Sequence, residues 1–138
     1  MLPLAYALVE SENIDSWKWF MTCIRNGVTQ REGLCIISDR HAGIMRVMEE
    51  DDWKPPKAYH RICIRHFASN FNLKVKCMAK KALLTSIGYE NQQVKFCNRF
   101  KELKELLKDN QDGLKWFDKV NAEKCALSYD IGGRRWGP

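Results

Sequence analysis

In the stretch LCIISDRHAGI, residues 34–44, four mostly apolar residues (Leu34 to Ile37) run directly into Ser38, Asp39, Arg40 and His41. A buried strand that ends in a carboxylate holds the acid by its backbone while the tip stays reachable. That suits a ligand for a catalytic cation at the rim of a sheet, where open α/β folds place their functional groups. It equally suits a cap for the following helix, and spacing alone leaves both readings open. Phosphoryl transfer by paired Mg²⁺ ions about 4 Å apart takes two or three carboxylates, and Asp39 is one. Cys63 and His66 form a second constellation, Cys-Ile-Arg-His. Their spacing puts both on one side of a helix but on opposite faces of a strand. A closed zinc site takes four ligands, and neither His41 and His60 nor Cys77 and Cys97 supplies a second matched pair. The plainer reading has Cys63 packing and His66 capping or hydrogen bonding.

The elements that must position these residues follow from the apolar pattern. LPLAYALVE (2–10) predicts a strand buried on both faces. SENIDSWKWFMTCIRNG (11–27) changes to helical period through Trp17, Phe20, Met21 and Ile24, with Asp15 or Ser16 placed as cap and Gly27 as stop. LCIIS (34–38) predicts a second buried strand, and HAGIMRVMEED (41–51) a short helix that the prolines of WKPPKA break. AYHRICIRHF alternates, so that on a strand His60, Ile62 and Ile64 share one face and Tyr59, Arg61, Cys63 and Arg65 the other.

Past His66 the pattern is helical, with Phe67, Phe71, Val75, Met78 and Leu83 as apolar positions. Val94, Phe96, Phe100, Leu103 and Leu107 form a further stripe, GLKWFDKV one more short helix, and DIGGRRWGP a loose, turn-rich tail. Strand, helix, strand, helix, strand and then helices alone describe a small α/β unit followed by an all-helical part, divided at 66/67, with parallel strands and right-handed crossovers.

Composition narrows the function. The chain of 138 residues is 45% hydrophobic and 11% aromatic, enough for one domain with a core. It contains no run of about 18 apolar residues and no secretory leader pattern, so neither a membrane span nor export is expected. Six cysteines without a CxxC pair are expected as buried thiols in a reducing compartment. The net charge of +6 is uneven: residues 54–108 carry 13 Lys or Arg against 3 Glu, or +10, leaving 10 basic and 14 acidic residues, or −4, elsewhere. A polyanion would dock on the basic region, with Arg61, Arg65, Lys74, Lys76, Lys80 and Lys81 as candidate contacts. The nucleophile-elbow, P-loop and HExxH motifs are absent from the sequence, which removes the esterase, nucleotidase and metalloprotease readings that depend on them.

The words PLAYALVESENIDSWKWF, LCIISDRHAGI and AYHRICIRHFASNFN, with FKELKELL, WFDKV and CALSYDIGGRRWG, resemble, in order, the transposase domain of Mutator-like elements (MULE), plant type. The resemblance implies a partial ribonuclease-H-like α/β core of about three strands with crossover helices (1–66), followed by a helical insertion (67–138). It implies a DDE-class DNA transposase in which three acids hold Mg²⁺ or Mn²⁺, a nuclear location and DNA as partner.

Asp39 then corresponds to the second acid, and Cys63 and His66 to a CxxH signature whose structural, metal-binding or DNA-facing role stays open. The first and third acids of the family pattern have no counterpart in these residues. Glu10, Glu12 and Asp15 follow the neighbouring predicted strand, but the resemblance gives them no part. The expectation is a transposase fragment inactive alone, with self-association or pairing with a longer chain to complete the sheet. The alternative is a non-catalytic nucleic-acid-binding or protein-interaction module that uses the basic region 54–108.

Overall fold

The computed structural model describes residues 3–130. These are mainly helical, with two short strands, and fall into two compact units divided between Arg61 and Ile62.

In the first unit, α1 spans Ile14–Cys23 and passes into a wider π-helical turn, Ile24–Val28. Asn13 caps α1: its side-chain oxygen accepts the Ser16 N–H at 2.9 Å. The cap therefore lies upstream of the expected Asp15 or Ser16, because the extended residue whose side chain reaches the free amides is the one before Ile14. Gly27 lies within the π-helical turn, and the chain leaves through extended Thr29.

Strand β1 covers Leu34–Ser38 and strand β2 covers Ala58–Ile62; they pair as a two-stranded parallel sheet. Helix α2, Ala42–Val47, and a 3₁₀ turn, Asp51–Trp53, lie between them in the chain. The unit's core gathers Met21, Ile44, Val47, Met48, Trp53 and Ala58, with Trp17, Phe20 and Leu34 packed against it.

Two expectations fail here. Residues 3–10 contain no strand, and Leu4, Tyr6 and Leu8 are 85%, 96% and 97% exposed. An apolar run becomes an interior strand only where neighbours pair its edges and layers cover both faces, and the described residues supply neither. For the same reason β1 is not a buried central strand: it pairs with β2 alone, and Ile37 on it is exposed. About three strands were expected, and two are present among the described residues.

The second unit consists of α3 (Ile64–Val75), α4 (Met78–Gly88), α5 (Gln93–Glu105) and α6 (Gln111–Asp118), closed by 3₁₀ turns at Ala122–Cys125 and Leu127–Tyr129. Its core includes Phe67, Phe71, Leu84, Ile87, Leu103 and Leu107. Helix α3 ends at Lys76, which takes the left-handed conformation (φ 51°) and donates its amide to the Asn72 carbonyl, so the chain can reverse into α4. Glycine at position 88 lets α4 approach α3 closely, since a Cβ there would run into the Ile64 side chain.

Phe96, Phe100 and Leu103 form the inward stripe of α5, spaced four and three apart, and Leu107 is buried in the turn that follows the helix, whereas Val94 is exposed. Met78 is exposed as well, and Leu84 rather than Leu83 is the fully buried leucine of α4. The tail after Asp130, including GGRR, lies outside the described residues.

Candidate functional site

Strand β1 delivers Asp39 at its carboxyl end. The Asp39 carboxylate turns back on its own loop, Oδ1 accepting the His41 N–H at 2.9 Å. Its Oδ2 takes no hydrogen bond from any described residue, and the residue is half-buried. The helix that follows is capped by His41, whose Nδ1 accepts the Gly43 N–H at 3.1 Å. Asp39 is thus not the cap. It shapes the turn that brings the cap into place, and His41 does the work usually given to Ser, Thr, Asp or Asn.

Glu12 approaches from before α1, its Oε1 accepting the Trp17 indole N–H at 3.1 Å and lying 3.9 Å from His41 Nδ1. Gly43 lets α2 close against α1, since a Cβ there would lie 2.7 Å from Trp17 Cδ1. On the neighbouring strand, His60 Nε2 lies 2.8 Å from the Ser38 hydroxyl, which also donates to the Asp39 carbonyl at 2.7 Å. Sequence reasoning missed this contact, because 22 residues separate the partners and only the strand register brings them together.

No group of three or more His, Cys, Asp or Glu side chains suited to a metal ion occurs among the described residues. Asp39 therefore has one carboxylate to offer where paired Mg²⁺ or Mn²⁺ ions take several oxygen ligands, and the described residues by themselves do not fit such a pair. Glu10, Glu12 and Asp15 add no such site. The Cys63–His66 pair lies where β2 passes into α3: Cys63 occupies the N-cap position without a side-chain cap bond, and exposed His66 sits in the first helical turn. A zinc site built on them lacks its further ligands among the described residues. All six cysteines are free; Cys23 is exposed and the other five are half-buried, of which Cys77, Cys97 and Cys125 pack against the core of the second unit, so the expectation of buried thiols holds only in part.

The candidate phosphate contacts differ in availability. Arg65, Lys74 and Lys76 are exposed, Arg65 in the first turn of α3, Lys74 in its last turn and Lys76 at the left-handed residue that ends it. Lys80 is already engaged, its Nζ donating to the Leu106 carbonyl at the end of α5 at 2.6 Å. Arg61 and Lys81 are half-buried.

Two groups elsewhere have shifted ionisation. The Lys57 ammonium, bonded to Asp52 at 2.6 Å, holds the Asp52 carboxyl below its usual value. Tyr129 is pushed up to about 12, first by its hydrogen bond with Cys97 (3.5 Å) and then by burial.

An acid at the end of a strand, a helix capped directly after it and a helical unit with exposed cations define a mixed α/β protein with a rim-mounted carboxylate. The sequence model of the MULE transposase domain matches residues 1–70, half of the chain, and the chain belongs to that family. No curated protein and no solved structure matches it. No helix among the described residues is long and apolar enough to cross a membrane.

Proposed function

We propose that this chain serves a DNA transposase of the DDE, ribonuclease-H-like class, that Asp39 is the second acid of its catalytic site, and that these 138 residues alone do not cut DNA. The observation that supports the reading is the setting of Asp39 within the family match: it leaves β1 directly, with one carboxylate oxygen held by the His41 amide and the other unbonded by any described residue. When bound beside further acids, divalent ions would supply charge stabilisation for phosphodiester cleavage. One carboxylate leaves Mg²⁺ mostly water-bound, which is why cleavage needs more than this chain's own acid. The family membership supports a nuclear location as part of this proposal.

In the test, Mn²⁺ is titrated into the 138-residue protein and NMR line broadening followed. Broadening should start at residues 38–41 and vanish from them in Asp39→Asn, while plasmid incubated with Mg²⁺ or Mn²⁺ stays uncut. Asp39-dependent nicking, or broadening indifferent to Asp39→Asn, refutes the proposal.

A second reading, a nucleic-acid-binding module without chemistry, is favoured by exposed Arg65, Lys74 and Lys76. It calls for affinity that falls with salt at a log–log slope of about −0.9 per phosphate contact. The exposed residues 3–10 favour a protein-interaction use, by self-association or by pairing with another chain.

A further inference from the structure

The two hydrogen bonds of Ser38 have a defined direction. Its oxygen lies 2.7 Å from the Asp39 carbonyl and 2.8 Å from His60 Nε2. A carbonyl only accepts, and a serine hydroxyl has one proton, so that proton is committed to Asp39. The Ser38 oxygen must then accept from His60, which requires the hydrogen of the imidazole to sit on Nε2. The relay therefore runs one way, from the His60 N–H on β2 to the Ser38 O–H on β1 to the carbonyl of Asp39. It holds the Asp39 main chain from the sheet side, while the His41 amide holds the side chain through Oδ1 at 2.9 Å. Together these bonds hold the acid through its main chain and through Oδ1, and Oδ2 takes part in neither.

We infer that His60 is a positioning residue for Asp39, acting through the Ser38 hydroxyl to fix the direction in which the carboxylate is presented. The inference rests on the reading of Asp39 as a functional acid. His60 itself touches neither metal nor DNA in this role. It sets the orientation that any ligand of Asp39 would meet, and a site of this kind loses effectiveness when its supporting bonds are loose.

The test uses the 138-residue protein without metal or DNA and compares His60→Gln, His60→Leu and Ser38→Ala. Glutamine keeps an N–H donor close to the place of Nε2; leucine removes it. The readouts are the hydrogen-exchange rate of the His41 amide and the side-chain rotamer of Asp39 from scalar couplings, with the Val47 amide as an internal reference. Loss of one supporting bond should speed His41 exchange about fivefold or more in His60→Leu and Ser38→Ala and average the Asp39 rotamer. His60→Gln and the Val47 amide should stay near wild type. Nitrogen shifts of neutral His60 should show the Nε2–H tautomer.

Unchanged His41 exchange in Ser38→Ala or His60→Leu overturns the inference. So does a rise shared equally by Val47, failure of glutamine to rescue, or the Nδ1–H tautomer. If His60→Leu does not fold, Ser38→Ala and His60→Gln decide. The outcome is separable from the proposed function: an Asp39 held by His60 that attracts no Mn²⁺ sinks the metal reading and leaves the positioning intact.

Discussion

Replacing Gly43 with alanine sets a methyl group 2.7 Å from Trp17 Cδ1, where carbon atoms prefer about 3.5–4.0 Å. Trp17 is poorly placed to give way, because its indole N–H bonds Glu12 at 3.1 Å and its ring meets Phe20 edge-on at 6.1 Å. The new methyl also comes within 3.1 Å of the Asn13 carbonyl and of His41 Nδ1, the atom that caps α2. Overpacking of this sort costs about 1–3 kcal/mol, and removing a glycine from a helix returns up to about 1 kcal/mol. With the full return taken, the expected net loss is about 0–2 kcal/mol, centred near about 1 kcal/mol.

Urea unfolding followed at the Trp17 indole N–H resonance measures it, because that resonance also reports the Glu12 bond. In a Trp17→Leu background the same substitution should cost less, with a coupling of about 1 kcal/mol. An unmoved indole resonance with unchanged stability, or costs that add in the double variant, would refute the claim that Gly43 is there to let α2 close on Trp17.

Two further expectations concern the helical unit. Phe71 is fully buried and its ring packs at a tilt against Phe117 (5.1 Å between centroids) and Trp116 (5.8 Å), so Phe71→Ala should cost about 3–5 kcal/mol in chemical unfolding followed by circular dichroism; a loss below about 1 kcal/mol would contradict its place in the core. Tyr129, raised in the folded state to about 12, keeps its full stabilising contribution below the ordinary tyrosine value near 10 and loses it as pH climbs from there toward about 12. Tyr129→Phe should remove that part of the alkaline decline, and superimposable stability-against-pH curves for the two proteins would refute the Cys97–Tyr129 bond as its cause.

Sequence pattern revealed what depends on neighbours along the chain. The strand LCIIS was legible from its apolar run bounded by Gly33 and Asp39, and the helix after it from the HAGIMRV period. The inward face of α5 was legible too, except that Val94 is exposed while its fellow apolar residues turn inward. What failed depends on partners distant in sequence. LPLAYALVE has the composition of an interior strand, but composition does not supply the strands to pair with it. Asn13 escaped notice because the helix starts with an exposed isoleucine, Ile14, and His41 because imidazole is an uncommon cap. At the site, the position of Asp39 could be read directly, whereas the His60–Ser38 relay exists only once parallel pairing sets the register of β1 against β2.

Leu4, Tyr6 and Leu8 stand bare to water on a stretch that is uncharged from Pro3 to Val9. Salts that strengthen apolar burial, such as sulfate, act first where such surface is already in solvent. In the handling of the purified protein, sulfate will therefore cause concentration-dependent clouding at this end before either core opens. Chloride at equal ionic strength will leave it clear, and lysines in place of Tyr6 and Leu8 will abolish the difference.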